Sequence, residues 1–160
     1  MKSKRRLVLG LVIAGVAAVT LGSVAVASGD KGGGNDRHAK KIVVVERATT
    51  DTVIDNAPTG DSIGDTIAFG NELFDKTNTT KVGTDQGSCV RTTVGVAFEC
   101  TFTNSLKGGQ ITVEGPFLDA GDSTLAITGG TGRYRKARGF MALHSLENGT
   151  KFAFEFHLSR

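Results

Sequence analysis

LAITGGTGRYRKARGF, running from Leu125 to Phe140, decides the fold. An apolar run with the look of a strand ends in Gly129-Gly130-Thr131-Gly132, and cations follow at Arg133, Arg135 and Lys136. Glycines after a strand either cradle a phosphate at the start of a helix or let the chain turn a corner. A dinucleotide loop needs a further glycine three positions on, where the helix packs on its strand, and Arg135 stands there. A P-loop needs Gly-Lys-Ser/Thr, which this stretch lacks. The chain after Phe140 is only long enough for a hairpin, so no helix and parallel strand complete a nucleotide fold. The glycines are therefore expected to be positive-φ residues in a tight corner between two antiparallel strands.

Outward from this corner the pattern stays β. Short β-branched runs separated by glycines give eight candidate strands. The first four are Ile42–Ile54, Thr66–Phe74, Thr80–Arg91 and Val96–Leu106. The others are Gln110–Phe117, Ser123–Thr128, Ala137–Leu146 and Thr150–Leu158. Phe98, Cys100, Phe102 and Leu106 share one parity, and Phe152, Phe154, Phe156 and Leu158 share another face against Lys151, Glu155 and His157. A period of two puts each set on one side of a sheet. Lys107-Gly108-Gly109 and Glu147-Asn148-Gly149 read as hairpin turns. Consecutive strands with short connections predict an all-β fold, an eight-stranded antiparallel up-and-down barrel, which leaves no open edge. A barrel of this size is either filled or holds one small ligand.

The N-terminal part is not domain. Lys2, Lys4, Arg5 and Arg6 precede an uncharged run from Leu7 to Ala27, and Ala25-Val26-Ala27 has the small-x-small form of a signal-peptidase site. Residues 1–27 are expected to be a signal peptide, with an uncleaved membrane anchor as the alternative; both place the domain outside the cytoplasm. Residues 28–41, glycine-rich and charged, read as a flexible linker, which leaves 42–160 as the barrel domain. The formal net charge of +3 belongs largely to the leader. Without its four cations the chain keeps 15 Lys and Arg against 16 Asp and Glu, a balance that gives no reason to expect nucleic acid as a partner.

Cys89 and Cys100 flank the turn expected at Thr92–Gly95. Residues opposed across a hairpin have a constant sum of positions, which for this pair centres the turn between Val94 and Gly95. The two side chains are then directly opposed and close enough to bridge. A disulfide is expected in an oxidising compartment, with a free buried thiol as the alternative.

"GDTIAFGNELFD", "GTDQGSC", "GGQITVEGPFLDAGDSTLAITGGTGRYRKARG" and "KFAFEFHL" resemble the allene oxide cyclase and dirigent protein superfamily, in the same order from Gly64 to Leu158. The resemblance implies an eight-stranded barrel, commonly trimeric as a homo-oligomer, whose lumen accepts an apolar small molecule. Its members cyclise an allene oxide or steer the coupling of phenoxy radicals. It implies catalytic roles for Asn71, which matches an asparagine that holds a water on the substrate oxygen. Glu46, the only glutamate in the first strand, stands for the cyclase's glutamate there, and Arg138 is nearest to a dirigent arginine beside the GGTG corner. Cys89 matches a lumen cysteine, a match made structural by a disulfide. Phe69, Phe98 and Phe102 are the expected ligand-binding side chains.

Each candidate has a plainer reading. Glu46 could act as a base in the lumen, its pKa raised by burial, or face solvent beside a cation. Arg138 could bind an oxyanion or fix the corner, and Asn71 could orient a water or satisfy a turn. Confinement with a few polar groups requires no cofactor. His144, His157 and Glu155 lack metal-ligand spacing, so no metal is expected. A non-catalytic secreted or cell-surface binding barrel is the alternative to a cyclase- or dirigent-like protein.

Overall fold

The computed structural model describes residues 40–159. The expected signal peptide and most of the linker lie outside the described residues, while Lys40 and Lys41, assigned to the linker, already belong to the first strand. The strands are β1 (Lys40–Arg47), β2 (Thr52–Ile54), β3 (Thr66–Phe69), β4 (Glu72–Asp75) and β5 (Lys81–Thr93). They continue as β6 (Ala97–Leu106), β7 (Gly109–Leu118), β8 (Ser123–Gly130), β9 (Arg138–Leu146) and β10 (Lys151–Ser159). All pairings are antiparallel, and β5–β6 pairing closes the sheet. The closed circuit is an 8-stranded barrel, β1-β10-β9-β8-β7-β6-β5-β4, with β2 and β3 extending one wall.

Two of the expected strands are broken. The run 42–54 splits into β1 and β2, and 66–74 splits into β3 and β4. Arg47 pairs with Glu72 and Thr52 with Ala68, so the first side carries one residue more than the second between these rungs. The surplus bulges at 48–51 against Gly70-Asn71, and this irregularity builds the site described below.

The barrel is packed at one end. Phe152, Phe154, Phe156 and Leu158 point inward in strict alternation, as the sequence pattern predicts. Val44, Ile111, Met141 and Phe156 fill the lower half. The connection from β8 to β9 plugs that end: after Thr131 the chain makes one 3-10 turn, Gly132–Tyr134, burying Tyr134 and Ala137 in the core. The glycines there are explained differently from the expectation. Only Gly132 has positive φ, +56°. Gly130 is required because a Cβ would meet Gln110 O and Tyr134 O of the folded-back corner, and around Gly129 a Cβ meets nothing. Close approach of two backbones, more than left-handed φ, explains this motif.

Candidate functional site

Asn71 occupies the break between β3 and β4. Its backbone exchanges two bonds with Asp85 of β5, each 3.0 Å. Opposite it, the bulge at 48–51 turns amide groups out of the strand ladder, where they need acceptors. The Asn71 amide supplies one: Oδ1 accepts from Thr49 N, Thr50 N and Thr50 Oγ1, each at 3.0 Å. Nδ2 donates to Glu46 Oε1 and to Asp51 Oδ1, both at 2.7 Å. The asparagine, 1% exposed, thus holds the bulge and two carboxyl groups together.

Glu46 is on the inward face of β1, opposite Phe152, and is buried. Burial is the largest cause that raises its pKa, followed by repulsion from Asp85; the Asn71 hydrogen bond works the other way. Asp85, 2% exposed, is also pushed up, again chiefly by burial. Two adjoining carboxyls in an apolar interior cannot both ionise cheaply. Glu46, the more strongly raised of the two, is therefore the member that keeps its proton, and the Asp85 oxygens have no hydrogen-bond partner among the described residues. Asn104, wholly buried, is the residue paired with Asp85 across β6. Its Nδ2 donates to Ile111 O at 3.4 Å.

Glu46 and exposed Asp51 line a cavity of about 50 Å³ in the upper half of the barrel. Its remaining wall is apolar, made mainly by Phe69, Phe102, Phe117, Phe152 and Phe154 with the Cys89–Cys100 disulfide. The two cysteines are directly opposed in β5 and β6 and bonded. Phe69 and Phe102 meet edge to face, with centroids 5.6 Å apart.

The residues expected to form a site are only partly brought together. Glu46, Asn71, Phe69 and Phe102 converge. Phe98 does not line the cavity; it lies under Arg91, whose guanidinium is 3.7 Å from the ring centre. Arg138 starts β9 at the packed end, exposed, with Nη1 donating to Ala137 O at 2.7 Å. The barrel wall separates it from the carboxyl pair because β9 runs from the plugged end towards the mouth. His144 is 2.7 Å from Asp122, and His157 stacks on Phe140 on the outer wall.

Two interior residues escaped the sequence reading. Asp85 and Arg91 share the parity of Cys89, so an inward Cys89 carries both into the barrel. Arg91 is buried at the mouth, where Nη1 contacts both Asp119 oxygens at 2.7 and 2.8 Å and Nε lies 2.7 Å from Asp61.

A closed antiparallel barrel with one polar group set into an apolar upper lumen defines a class of small β-barrel proteins with shared architecture and varied chemistry. Residues 31–159 match the family model described as dirigent-like protein, and the chain belongs to that family. Among solved structures it is similar to a pyocyanin demethylase, 24% identical over 75% of this chain and 100% of that one, with a TM-score of 0.68. A pterocarpan synthase dirigent protein is 16% identical, with 78% and 98% covered and a TM-score of 0.61. A Diels–Alderase from Streptomyces koyangensis is 15% identical, with 75% and 64% covered and a TM-score of 0.61. These likenesses establish the shared barrel.

Proposed function

We propose that this barrel takes the apolar end of an uncharged small molecule into its upper lumen and transfers a proton to it from Glu46, directing a cyclisation or coupling. The observation that carries the reading is Glu46, buried beside Asp85, which with Asp51 supplies the carboxyl groups of a cavity otherwise walled mainly by phenyl rings. A carboxyl group kept neutral at pH 7 by an apolar site can donate a hydrogen bond or a proton. In the proposed step the Glu46 O–H bond breaks towards an oxygen or nitrogen of the ligand. The carboxylate left behind accepts from Asn71 Nδ2, and the positive charge gained by the ligand offsets the repulsion between Glu46 and Asp85. When product forms, a proton returns to Glu46, and Asp51 at the mouth lies on the route to solvent. The phenyl wall supplies confinement, which holds the ligand in a reactive shape.

The mouth favours neutral or cationic ligands. Its loops carry Asp55, Asp61, Asp119, Asp122 and Glu147, and the cations nearest them, Arg91 and Lys151, are already paired with acids. The size of the cavity supports only partial entry, being far below the roughly 300–1,000 Å³ that encloses a drug-sized ligand. That same small volume favours the second reading, a non-catalytic barrel with a nearly filled lumen.

Chemical-shift titration with 2-naphthol and with 2-naphthoate tests the proposal. The neutral phenol should perturb Phe69, Phe102 and Phe154, and the carboxylate should bind at least about tenfold more weakly. Equal binding of both, or of neither, would remove the small-molecule reading. Export is proposed on the leader alone: N-terminal sequencing of secreted protein should begin at Ser28, and an intact Met1 would indicate an anchor.

A further inference from the structure

Charge is segregated between the two ends of this barrel. Because the strands run up and down, successive connections alternate between the mouth and the plugged end. The connections at 55–65, 119–122 and 147–150 carry the acidic side chains of the mouth. Those at the plugged end carry Lys76, Lys107, Arg133, Arg135 and Lys136; Lys40 opens β1 and Arg138 opens β9 beside them. All of these cations are exposed. Among the described residues none of them has a carboxylate within ion-pair distance, in contrast to Lys41 and Lys81 on the outer wall, which pair with Glu155 and Glu72. Among the described residues the acid in those loops, Asp75 at the end of β4, is turned into its own loop, accepting from Thr77 Oγ1 and Thr79 N at 2.9 Å.

The rest of the chain joins the barrel at this same end. Residues before Lys40 include the cations Lys2, Lys4, Arg5 and Arg6 and the uncharged run Leu7 to Ala27. The exposed large hydrophobic residues Ile63, Val94, Val96 and Leu146 lie at the mouth end; among the described residues the plugged-end loops carry none, and Val82 of β5 and Phe140 of β9 are exposed near the start of strands that begin there.

We propose that the plugged end docks on an anionic phospholipid surface and directs the mouth away from it. Spread cations without counter-charges complement headgroup phosphates, and the acidic mouth is repelled by the same surface, so the field of the whole barrel sets the orientation. With no large apolar side chain in the plugged-end loops among the described residues, and Phe140 stacked on His157 along the outer wall, the contact is chiefly electrostatic and reversible. Each Lys or Arg held near such a surface contributes about a factor of five to partition, and the contribution fades within a Debye length as salt is added.

The test is co-sedimentation of the full chain with phosphatidylcholine vesicles, pure or containing about 30% phosphatidylglycerol. The variant Arg133→Gln/Arg135→Gln/Lys136→Gln should partition roughly 100-fold more weakly than the parent onto the anionic vesicles, with equal partition onto the neutral ones. The leader is present in both proteins and cancels. Lys76→Gln/Lys107→Gln, on two other loops, should cost a further factor of about 25, which separates a shared basic face from damage to one corner. About 0.5 M salt should erase the difference between parent and variants. Equal partition of parent and variants would overturn the proposal. A variant deficit on neutral vesicles, or tighter binding of the parent to duplex DNA at equal phosphate concentration, would do so too. Binding of 2-naphthol should be the same in all these proteins, so failure here leaves the lumen reading standing.

Discussion

Replacing Glu46 by Gln removes a titrating proton while keeping the acceptor that Asn71 Nδ2 requires. The folded-state pKa of Glu46 is raised, chiefly by burial, from 4.5 to about 9, and that of Asp85 to about 6. For a carboxyl raised on folding, the native state binds the extra proton, so stability is greatest at low pH and falls as pH rises. Between about pH 6.5 and 8, Glu46 is ionised in the unfolded chain and protonated in the native one, while Asp85 has already titrated. One proton then separates the two states, and stability falls by about 1.4 kcal/mol per pH unit, or about 2 kcal/mol across that window. Glu46→Gln should lack this slope. Urea unfolding followed by circular dichroism, without reductant, should show the variant gaining about 2 kcal/mol on the parent between the two pH values. Parallel pH dependences would refute the reasoning, because they would mean that Glu46 is ionised in the native barrel.

Asn71→Ala should destabilise by about 3 kcal/mol or more, since it leaves the Thr49 and Thr50 amides and Glu46 without their partner; urea midpoints check it. Gly130→Ala should cost about 1–3 kcal/mol by overpacking against Gln110 and Tyr134, whereas Gly129→Ala should fall within about 0.5 kcal/mol of the parent. Equal effects at the two glycines in thermal melts would discredit the close-approach explanation. Reducing Cys89–Cys100 should lower stability by about 2–3 kcal/mol at constant pH, and a thiol count of zero in the unfolded, unreduced protein should accompany the parent.

Much of the barrel was legible because its inward faces are written with period two. The phenylalanines of β10, the opposed cysteines and the Asn148-Gly149 turn each identify a strand or its register from neighbouring residues alone. The bulge was not, since it arises from a mismatch of one residue between two strands distant in sequence. Nothing near Ala48 announces a break; the compensating amide comes from Asn71. The same holds for the carboxyl pair. Glu46 was visible through family resemblance, but its partner Asp85 sits among Gly83, Thr84, Gln86 and Gly87, in an expected strand with no apolar neighbours to show which face turns inward. Only the parity shared with Cys89 places it inside. Arg138 stands apart from the site for a related reason: adjacency to the glycine corner says nothing about which end of the barrel the corner closes.

The state of the Glu46 carboxyl at neutral pH bears most directly on the proposed proton transfer. Carbon-13 labelling of glutamate, with Glu46→Gln to assign the resonance, allows its titration to be followed by NMR with and without 2-naphthol. The expected result is a side-chain carboxyl carbon at the position of a neutral acid at pH 7, moving to the carboxylate position only as the pH approaches about 9, with the bound phenol perturbing it. A resonance that titrates near the ordinary glutamate value of about 4.3 would contradict it.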